Sequence, residues 1–381
     1  MPPPDSSPSV RALAATAALP WRAPTVPAVT VRLSALALVL LAGCLPSSGK
    51  RQDQALLPAD STSRALAQEA PVDTLRRVWR AEAPAADPLA LPTSLAWAGE
   101  RLAVVDTPAG RVRWLRPDGR FAGSVELGAE AFPYAAGAVG DTLGVLLRGA
   151  GEVTWLAGSE VVRRAPVPES ATAALVTDDG AWVRLGGGLT GAPGEVARLG
   201  TTGAERARRP IGGPSWRAVG FLTAWGDSLL ALSGYRPVVD VWAPGGTGAL
   251  DTLALAGFDS PQLRRSAQFV RGDADEPPLL APSARALGDR LFVLNARADE
   301  LRVDVYGRDG RLERVLVNEG TRGPLDLVAV DLAVRRREGA VELAVLWQRP
   351  RGLLRAAGSA VELWRWGQAP AGTAARAEGR R

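Results

Sequence analysis

Two short patterns recur in step along the middle of the chain. The first is a turn motif of glycine, an acidic residue, any residue and leucine, which begins at Gly99, Gly140, Gly226 and Gly288. Each copy separates two apolar stretches, as a hairpin turn does when glycine adopts a positive φ and the acidic side chain caps the turn. The motif therefore predicts short antiparallel strands rather than long helices.

The second pattern is a valine followed three residues later by leucine or an aromatic residue. It begins at residues 112, 153, 196, 239, 303 and 361, at intervals of 41, 43, 43, 64 and 58 residues. A unit of four short strands at this period is typical of a β-propeller blade. We therefore predict an all-β fold, a six-bladed β-propeller over residues 72–367. An open pair of β-sandwiches is the alternative, but sandwiches do not keep a repeat in register.

The first unit predicts strands at 93–98, 101–106, 111–116 and 120–127, and later units begin near Pro133, Ala171, Trp216, Ala281 and Asp326. The sixth unit lacks a fourth strand, since its last apolar segment ends at Gly367 and a polar tail follows. A strand-like segment at about 73–80 precedes the first unit and has no partner there. We predict that it completes the last blade as its outer strand and closes the ring.

Residues 104–125 and 293–316 resemble NHL-type repeats, with a strand, a polar loop and an aromatic-bearing strand that ends in an Asp-Gly turn. Asp106 matches the loop aspartate of that family, whereas Arg148 and Ser233 stand there in the second and fourth units. The resemblance implies a propeller used as a binding platform, with a minority of enzymes, and it carries no catalytic motif over to this chain.

The N-terminal region resembles an export signal. Arg32 precedes a short apolar run that ends in Leu41-Ala42-Gly43-Cys44, which is similar to the lipobox of bacterial lipoproteins. Cys44, the only cysteine, would carry the lipid that anchors the protein to a membrane. Leu45 is not the aspartate that retains enterobacterial lipoproteins at the inner membrane, which favours the outer membrane of the bacterial cell envelope.

These features divide the chain into a signal peptide at 1–43, a flexible tether at 44–71, the propeller at 72–367 and a disordered tail at 368–381. Residues 1–31 do not resemble the start of a signal peptide, so translation could begin instead at a valine codon, at residue 10, 26, 29 or 31.

The amino-acid composition excludes several kinds of functional site. The chain has no histidine and one cysteine, which excludes a Ser-His-Asp triad, a His-ligated metal and an internal disulfide. The net charge of +5 lies mostly in the two ends, and residues 71–367 carry only +1. A near-neutral body without a basic stripe argues against nucleic acid as a partner, and we expect no cofactor.

Ligands of propellers usually bind where the loops between second and third strands and the loops between blades share one face. The chain places these candidates in such loops: Asp106, Arg148, Tyr235, Arg236, Asn295, Arg297, Arg349, Glu130, Phe132 and Tyr134. A long insertion at 259–280 adds Arg264 and Arg265, and it is either a lid or partner-contact loop or a solvated decoration.

Two further features have ordinary explanations. Asp273, Asp275 and Glu276 resemble part of a calcium loop but lack the Asp-x-Asp-x-Asp-Gly run, so we predict no metal there. The twelve tryptophans could form a carbohydrate-stacking surface, yet those at 79, 114, 155, 242 and 364 fall on predicted strands. We expect them to pack in the core.

Three functions remain open. The first is a membrane-anchored lipoprotein whose propeller binds a protein, peptide or glycan partner. The second is a lactonase- or esterase-like propeller enzyme that holds a divalent metal with carboxylates, as in the gluconolactonase group, for which Asp106 and Asn295 alone are too few ligands. The third is a structural spacer or sensor domain.

Overall fold

The computed structural model describes residues 61–187, 193–243, 251–297, 300–318, 327–351 and 355–367. Within these ranges the chain is mostly strand, with two short α-helices. No helix in this part of the chain is long and apolar enough to cross a membrane. The predicted signal peptide, Cys44 and the C-terminal tail at 368–381 lie outside the described residues.

Sixteen of the strands form four antiparallel sheets of four consecutive strands each. The first sheet contains β2 (Pro92–Ala98), β3 (Arg101–Asp106), β4 (Arg111–Leu115) and β5 (Phe121–Glu126). The second contains β6 (Pro133–Val139), β7 (Thr142–Leu147), β8 (Glu152–Ala157) and β9 (Glu160–Pro166). The third contains β10 (Ala171–Thr177), β11 (Gly180–Leu185), β12 (Glu195–Gly200) and β13 (Glu205–Pro210). The fourth contains β14 (Gly220–Trp225), β15 (Ser228–Ser233), β16 (Val238–Trp242) and β17 (Asp251–Ala254).

The other described strands form one eight-stranded sheet in the order β18-β19-β20-β21-β1-β24-β23-β22. Its members are β1 (Val72–Glu82), β18 (Ser283–Leu287), β19 (Arg290–Leu294), β20 (Arg302–Tyr306), β21 (Leu312–Asn318), β22 (Val328–Arg337), β23 (Ala340–Arg351) and β24 (Arg355–Trp366).

The predicted turn motif connects the first two strands of four units. Gly99 and Gly140 both have φ of 56° and lie between β2 and β3 and between β6 and β7. A positive φ costs a residue with a Cβ roughly 1–2 kcal/mol, so glycine is the residue that fits these two-residue turns.

The sheets are arranged as in a propeller. The first strand of each unit contacts the first strand of the next, in the circle β2, β6, β10, β14, β18, β22 and back to β2. Each core cluster combines apolar residues from two successive units, and one cluster joins Leu95 and Leu102 of the first sheet to Leu346 and Val361 near the end of the chain. The core is therefore divided among the junctions between sheets.

Strand β1 joins the two ends of the chain, as the sequence predicts. Arg77 lies opposite Trp364 in an antiparallel ladder with β24. The first residues of β1 continue as a parallel partner of β21, with Val72 opposite Val315. The predicted pairing of this segment with the last strand is confirmed. The parallel contact with β21, which merges eight strands into one sheet, was not predicted.

Two segments outside the predicted strands are helical. Residues 61–69 of the predicted tether form α1 (Ser61–Glu69), where the buried Ser63 hydroxyl accepts the Gly257 N–H at 2.6 Å. The insertion contains α2 (Leu263–Val270). Residues 61–69 are thus helical and contact the body of the protein through Ser63, while the division of the chain into tether and propeller stays a prediction.

Candidate functional site

One end of the ring, which we call the loop face, carries the loops that follow β3, β7, β15 and β19 and the loops that lead into β6, β14 and β18. Antiparallel order puts these loops at the same end, since the chain reverses direction at every strand. Backbone bonds join the two loop types: the Arg148 N–H donates to the Phe132 carbonyl at 3.1 Å, and the Gly149 N–H to that of Ala131 at 2.9 Å. The predicted site residues can therefore be located on one surface.

Phe132, Tyr134 and Arg148 form an aromatic and basic group on the second sheet. The Arg148 guanidinium carbon lies 5.0 Å from the centre of the Tyr134 ring, which is cation–π distance. Phe132 is exposed and has φ of 46°, one of two non-glycine residues with a positive φ in the described chain. An aromatic residue in this strained conformation, open to solvent, is a feature that occurs at binding sites.

Tyr235 and Arg236 follow β15 on the fourth sheet. Tyr235 is 4% exposed, and burial raises its pKa to about 12, with smaller contributions from Tyr134 and Glu276. Burial also raises the pKa of Tyr134, while the Arg148 charge opposes the shift. Since Tyr134 and Glu276 act electrostatically on Tyr235, groups from the second sheet, the fourth sheet and the insertion lie near one another at this end of the ring.

Arg236 has a buried Nε atom with no hydrogen-bond partner within the described ranges. Its side chain as a whole is half-buried. Burial lowers the pKa of Arg236, and the neighbouring Arg217 charge lowers it further. Arg236 is thus partly desolvated and near a second positive charge.

Asp106 has a structural role in this arrangement. It is fully buried, and its carboxylate accepts the backbone N–H groups of Ala90 and Leu91 at 2.9–3.1 Å. Arg111 lies 3.7 Å away. The carboxylate holds the loop before β2 and is not exposed to solvent, and its place in the ligand face stays a prediction.

Asn295 and Arg297 meet at the start of the insertion. The Asn295 Nδ2 donates to the Asp259 carbonyl at 2.6 Å, and Arg297 pairs with the Asp259 carboxylate at 3.1 Å. Arg302 pairs with both Asp259, at 3.0 Å, and the fully buried Asp304, at 2.7 Å. Burial raises the pKa of Asp304, an effect that Arg302 opposes. This network fastens the insertion to the fifth unit.

The insertion packs across the loop face. Phe269 of α2 meets Trp216 edge-on, with ring centres 5.2 Å apart, and the Ser266 hydroxyl donates to the Tyr235 carbonyl at 3.3 Å. Arg264 is exposed on α2 and Arg265 is half-buried. The helix therefore lies beside Tyr235, with the Arg264 side chain reaching solvent.

A second polar group, which sequence reasoning missed, lies on the inner strands. Asp331 of β22 pairs with Arg285 of β18 at 3.1 Å, and the Ser283 hydroxyl donates to the same carboxylate. Asp331 also accepts the Leu95 N–H of β2 at 2.6 Å. An aspartate inside the apolar run VAVDLAV was the available signal, because a buried acid requires partners.

No three acidic residues of the described ranges come close enough together to hold a metal ion. The tryptophans behave as predicted: those at 114, 155, 242 and 364 are 3–4% exposed and pack in the core clusters. Trp79 is partly buried and its indole N–H donates to the Pro117 carbonyl at 2.8 Å.

The fold defines the chain as a β-propeller protein. No protein-family model matches the sequence, and no curated protein sequence matches it. Among solved structures it is similar to regucalcin, a calcium-binding protein from Agrobacterium tumefaciens, at 11% identity, a TM-score of 0.49 and coverage of 78% of this chain and 97% of that one.

Two further solved structures show comparable likeness. Virginiamycin B lyase from Staphylococcus aureus is 9% identical with a TM-score of 0.48, and the match covers 76% of this chain and 99% of the lyase. BamB from Moraxella catarrhalis is 16% identical with a TM-score of 0.41, covering 74% and 87%. At this level the likeness concerns the fold, and function has to be argued from the residues of this chain.

Proposed function

We propose that the chain is a six-bladed β-propeller on an envelope lipoprotein, and that its loop face binds a protein or peptide partner. The count of six treats the eight-stranded sheet as two blades, β18–β21 and β22–β24 with β1, joined where β1 runs beside β21. In support, the six first strands form a closed circle of contacts, and each successive pair of units shares a core cluster.

The proposal of lipid anchoring stands on the sequence Leu41-Ala42-Gly43-Cys44. An acyl chain contributes about 0.8 kcal/mol for each buried CH2 group, and stable anchoring needs more than one chain. A diacylated and N-acylated Cys44 would meet that requirement. Radiolabelled palmitate incorporated by the native chain and not by Cys44→Ser would support the anchor, and equal labelling of both would contradict it.

The observation that carries the binding function is the exposed Phe132 beside the Tyr134–Arg148 pair. Hot spots of protein interfaces are rich in tyrosine and arginine, and aromatic residues are enriched at interface cores. Strain at a non-glycine residue with positive φ costs about 1–3 kcal/mol and persists where the surroundings fix it, often at binding sites. A protein surface is therefore the partner that this combination favours.

The geometry gives less support to the alternative function, a lactonase- or esterase-like enzyme that holds a divalent metal with carboxylates. Among the described residues, the acids closest to the predicted ligand set are Asp106, Asp259 and Asp304. Their carboxylates are occupied by backbone amides or by arginines. No observation on the loop face favours a carboxylate-held metal over a protein partner.

A site-specific crosslinking experiment tests the binding function. A photoreactive amino acid replaces Phe132 in one chain and Val162, an exposed residue on the outer strand β9 of the same sheet, in the other. We expect a discrete crosslinked partner in intact envelopes from position 132 only. Arg148→Ala, with the photoreactive group kept at 132, should reduce that crosslink strongly.

Equal crosslinking from both positions, or none from position 132, would contradict the proposal. A crosslink from 132 that Arg148→Ala leaves unchanged would also contradict it, because the pair would then contribute nothing to recognition.

A further inference from the structure

A fully buried arginine lies between the third and fourth sheets. Arg184 of β11 is 0% exposed, and its Nη1 donates to the Leu232 carbonyl of β15 at 3.2 Å. The Nε and Nη2 atoms are also buried and have no hydrogen-bond partner in the part of the chain that the structure describes. A guanidinium has five N–H donors, so most of the hydrogen-bonding capacity of Arg184 is unused.

A second arginine acts electrostatically on this position and also on a third arginine. Arg217, 9% exposed, pairs with Asp240 at 2.6 Å and donates to the Gly212 carbonyl. The Arg217 charge acts on both Arg184 and Arg236. We call Arg184, Arg217, Arg236 and Asp240 the arginine cluster.

The charges of the arginine cluster do not balance. Asp240 is its only carboxylate, and it also accepts the Thr252 hydroxyl at 3.1 Å. Burial lowers the pKa of Arg184 to about 9, partly offset by Asp240, so its guanidinium stays protonated at neutral pH. The cluster therefore holds three positive charges and one negative charge in a largely desolvated place.

An excess of buried charge is unfavourable unless a counter-charge is present. Elsewhere in the ring, partly buried arginines have carboxylate partners, as Arg302 has Asp304 and Arg285 has Asp331. Among the described residues, Arg184 and Arg236 have no carboxylate partner. Because Arg236 is half-buried next to Tyr235, the cluster opens toward the loop face through this residue.

We propose that the arginine cluster is an anion subsite of the loop face, which binds one oxyanion group, a carboxylate or a phosphate, carried by the ligand. Arg236 and Arg217 contact the oxyanion, and Arg184 supplies buried positive charge behind them. This inference rests on the proposed binding function and adds the chemistry of the group that is recognised: an acidic side chain, a chain terminus or a phosphorylated residue of the partner.

The test uses thermal unfolding of the full chain in increasing inorganic phosphate or acetate, against sodium chloride of equal ionic strength. An anion that binds only the folded state raises the Tm in a saturable way, and the midpoint gives its Kd. We expect such a rise with at least one of the two oxyanions. A response to phosphate alone indicates a phosphorylated ligand group, and a response to acetate indicates a carboxylate.

The variants are Arg236→Met and Arg184→Met, with Arg163→Met as the matched control. Arg163 lies on the outer strand β9, where it stacks on Trp155 with its guanidinium carbon 5.1 Å from the ring centre. A hydrogen bond to a charged group contributes about 1.5–3 kcal/mol, so Arg236→Met should raise the Kd about tenfold or more. Arg163→Met should leave it unchanged.

Absence of a saturable Tm rise in the native chain would overturn the subsite. A Kd equal to that of the native chain in both Arg236→Met and Arg184→Met would also overturn it. If Arg184→Met does not fold, Arg236→Met alone decides the outcome, because its side chain is half-buried. The assay contains no partner protein, so its failure is distinct from failure of crosslinking at Phe132.

Discussion

Asp331 accepts the Leu95 backbone N–H at 2.6 Å across the junction between the last unit and the first. The same carboxylate pairs with Arg285 at 3.1 Å, so one buried side chain ties three inner strands together. The ring is thus closed on its inside by Asp331 and on its outside by β1.

Replacing Asp331 by alanine should weaken this closure. The change leaves Arg285 without its carboxylate and the Leu95 N–H without its acceptor, and breaking a buried pair costs about 3–5 kcal/mol. We expect a loss of at least about 3 kcal/mol in the free energy of unfolding, measured with urea. Asp118→Ala, in an exposed turn, serves as the control and should cost less than about 1 kcal/mol. Equal losses of unfolding free energy in the two variants would contradict the role of Asp331 in closing the ring.

Two glycines with similar backbone angles should respond differently to alanine. Gly110 has φ of 63° and Gly140 has φ of 56°. A Cβ on Gly110 would collide with the Gly128 carbonyl, whereas one on Gly140 meets nothing within 4 Å. Gly140→Ala should therefore cost only the roughly 1–2 kcal/mol of a left-handed residue. Gly110→Ala should lower the free energy of unfolding clearly more in the same urea experiment. An equal loss in both variants would show that the loop at Gly128 moves to accommodate the added Cβ.

We expect Phe132 to reduce the stability of the fold through its strained backbone and to contribute to partner binding through its side chain. Phe132→Gly removes the strain of a positive φ, whereas Phe132→Ala keeps it. We expect the glycine variant to be about 1 kcal/mol more stable than the alanine variant. Both should lose the partner that crosslinking from the loop face detects, measured here by crosslinking from position 264, where Arg264 is exposed on α2. If alanine is the more stable of the two, the backbone at this position is not strained.

Glu342 should make stability depend on pH. Burial raises its pKa, but hydrogen bonds from Arg365 at 2.6 Å and Arg335 at 2.8 Å outweigh that effect, and the net pKa is lowered. Its contribution is therefore complete above the unfolded-state pKa, near 4.5, and is lost as pH falls through the lower folded-state value.

Glu342→Gln should consequently be less stable than the native chain at pH 7, by about 3 kcal/mol, and the difference should shrink at pH 3. Urea unfolding at both pH values measures it. Glu313→Gln removes an exposed pair with Arg290 and should cost less than about 1 kcal/mol at pH 7. A difference for Glu342→Gln that does not change with pH would contradict the assignment.

The repeat predicted much of the fold because its residues act locally. The strands expected at 101–106 and 111–116 are observed at Arg101–Asp106 and Arg111–Leu115. Hairpin turns depend on a few residues near in sequence, so they can be inferred from the chain alone. Helix α1 could not, since its position depends on the distant contact of Ser63 with Gly257.

One member of the arginine cluster, Arg184, could have been noticed in the sequence. Arg184 lies opposite Ala173, and in the neighbouring sheets the equivalent positions are Val105, Leu146 and Leu232. A charged residue in a position that is otherwise apolar marks a site of interest once the repeats are aligned. For Asp106 the sequence could not distinguish a carboxylate that binds ligand from one that holds the loop before β2, because both require the same residue type.

The ladder between β1 and β24 has a consequence for the order of folding. During synthesis Val72–Glu82 emerges well before Arg355–Trp366, so β1 has no antiparallel partner until β24 has been made. Pairings of such large sequence separation form slowly, and an unpaired strand invites association with other chains. In a nascent molecule this edge of β1 therefore stays unpaired, or is shielded, until β24 has emerged.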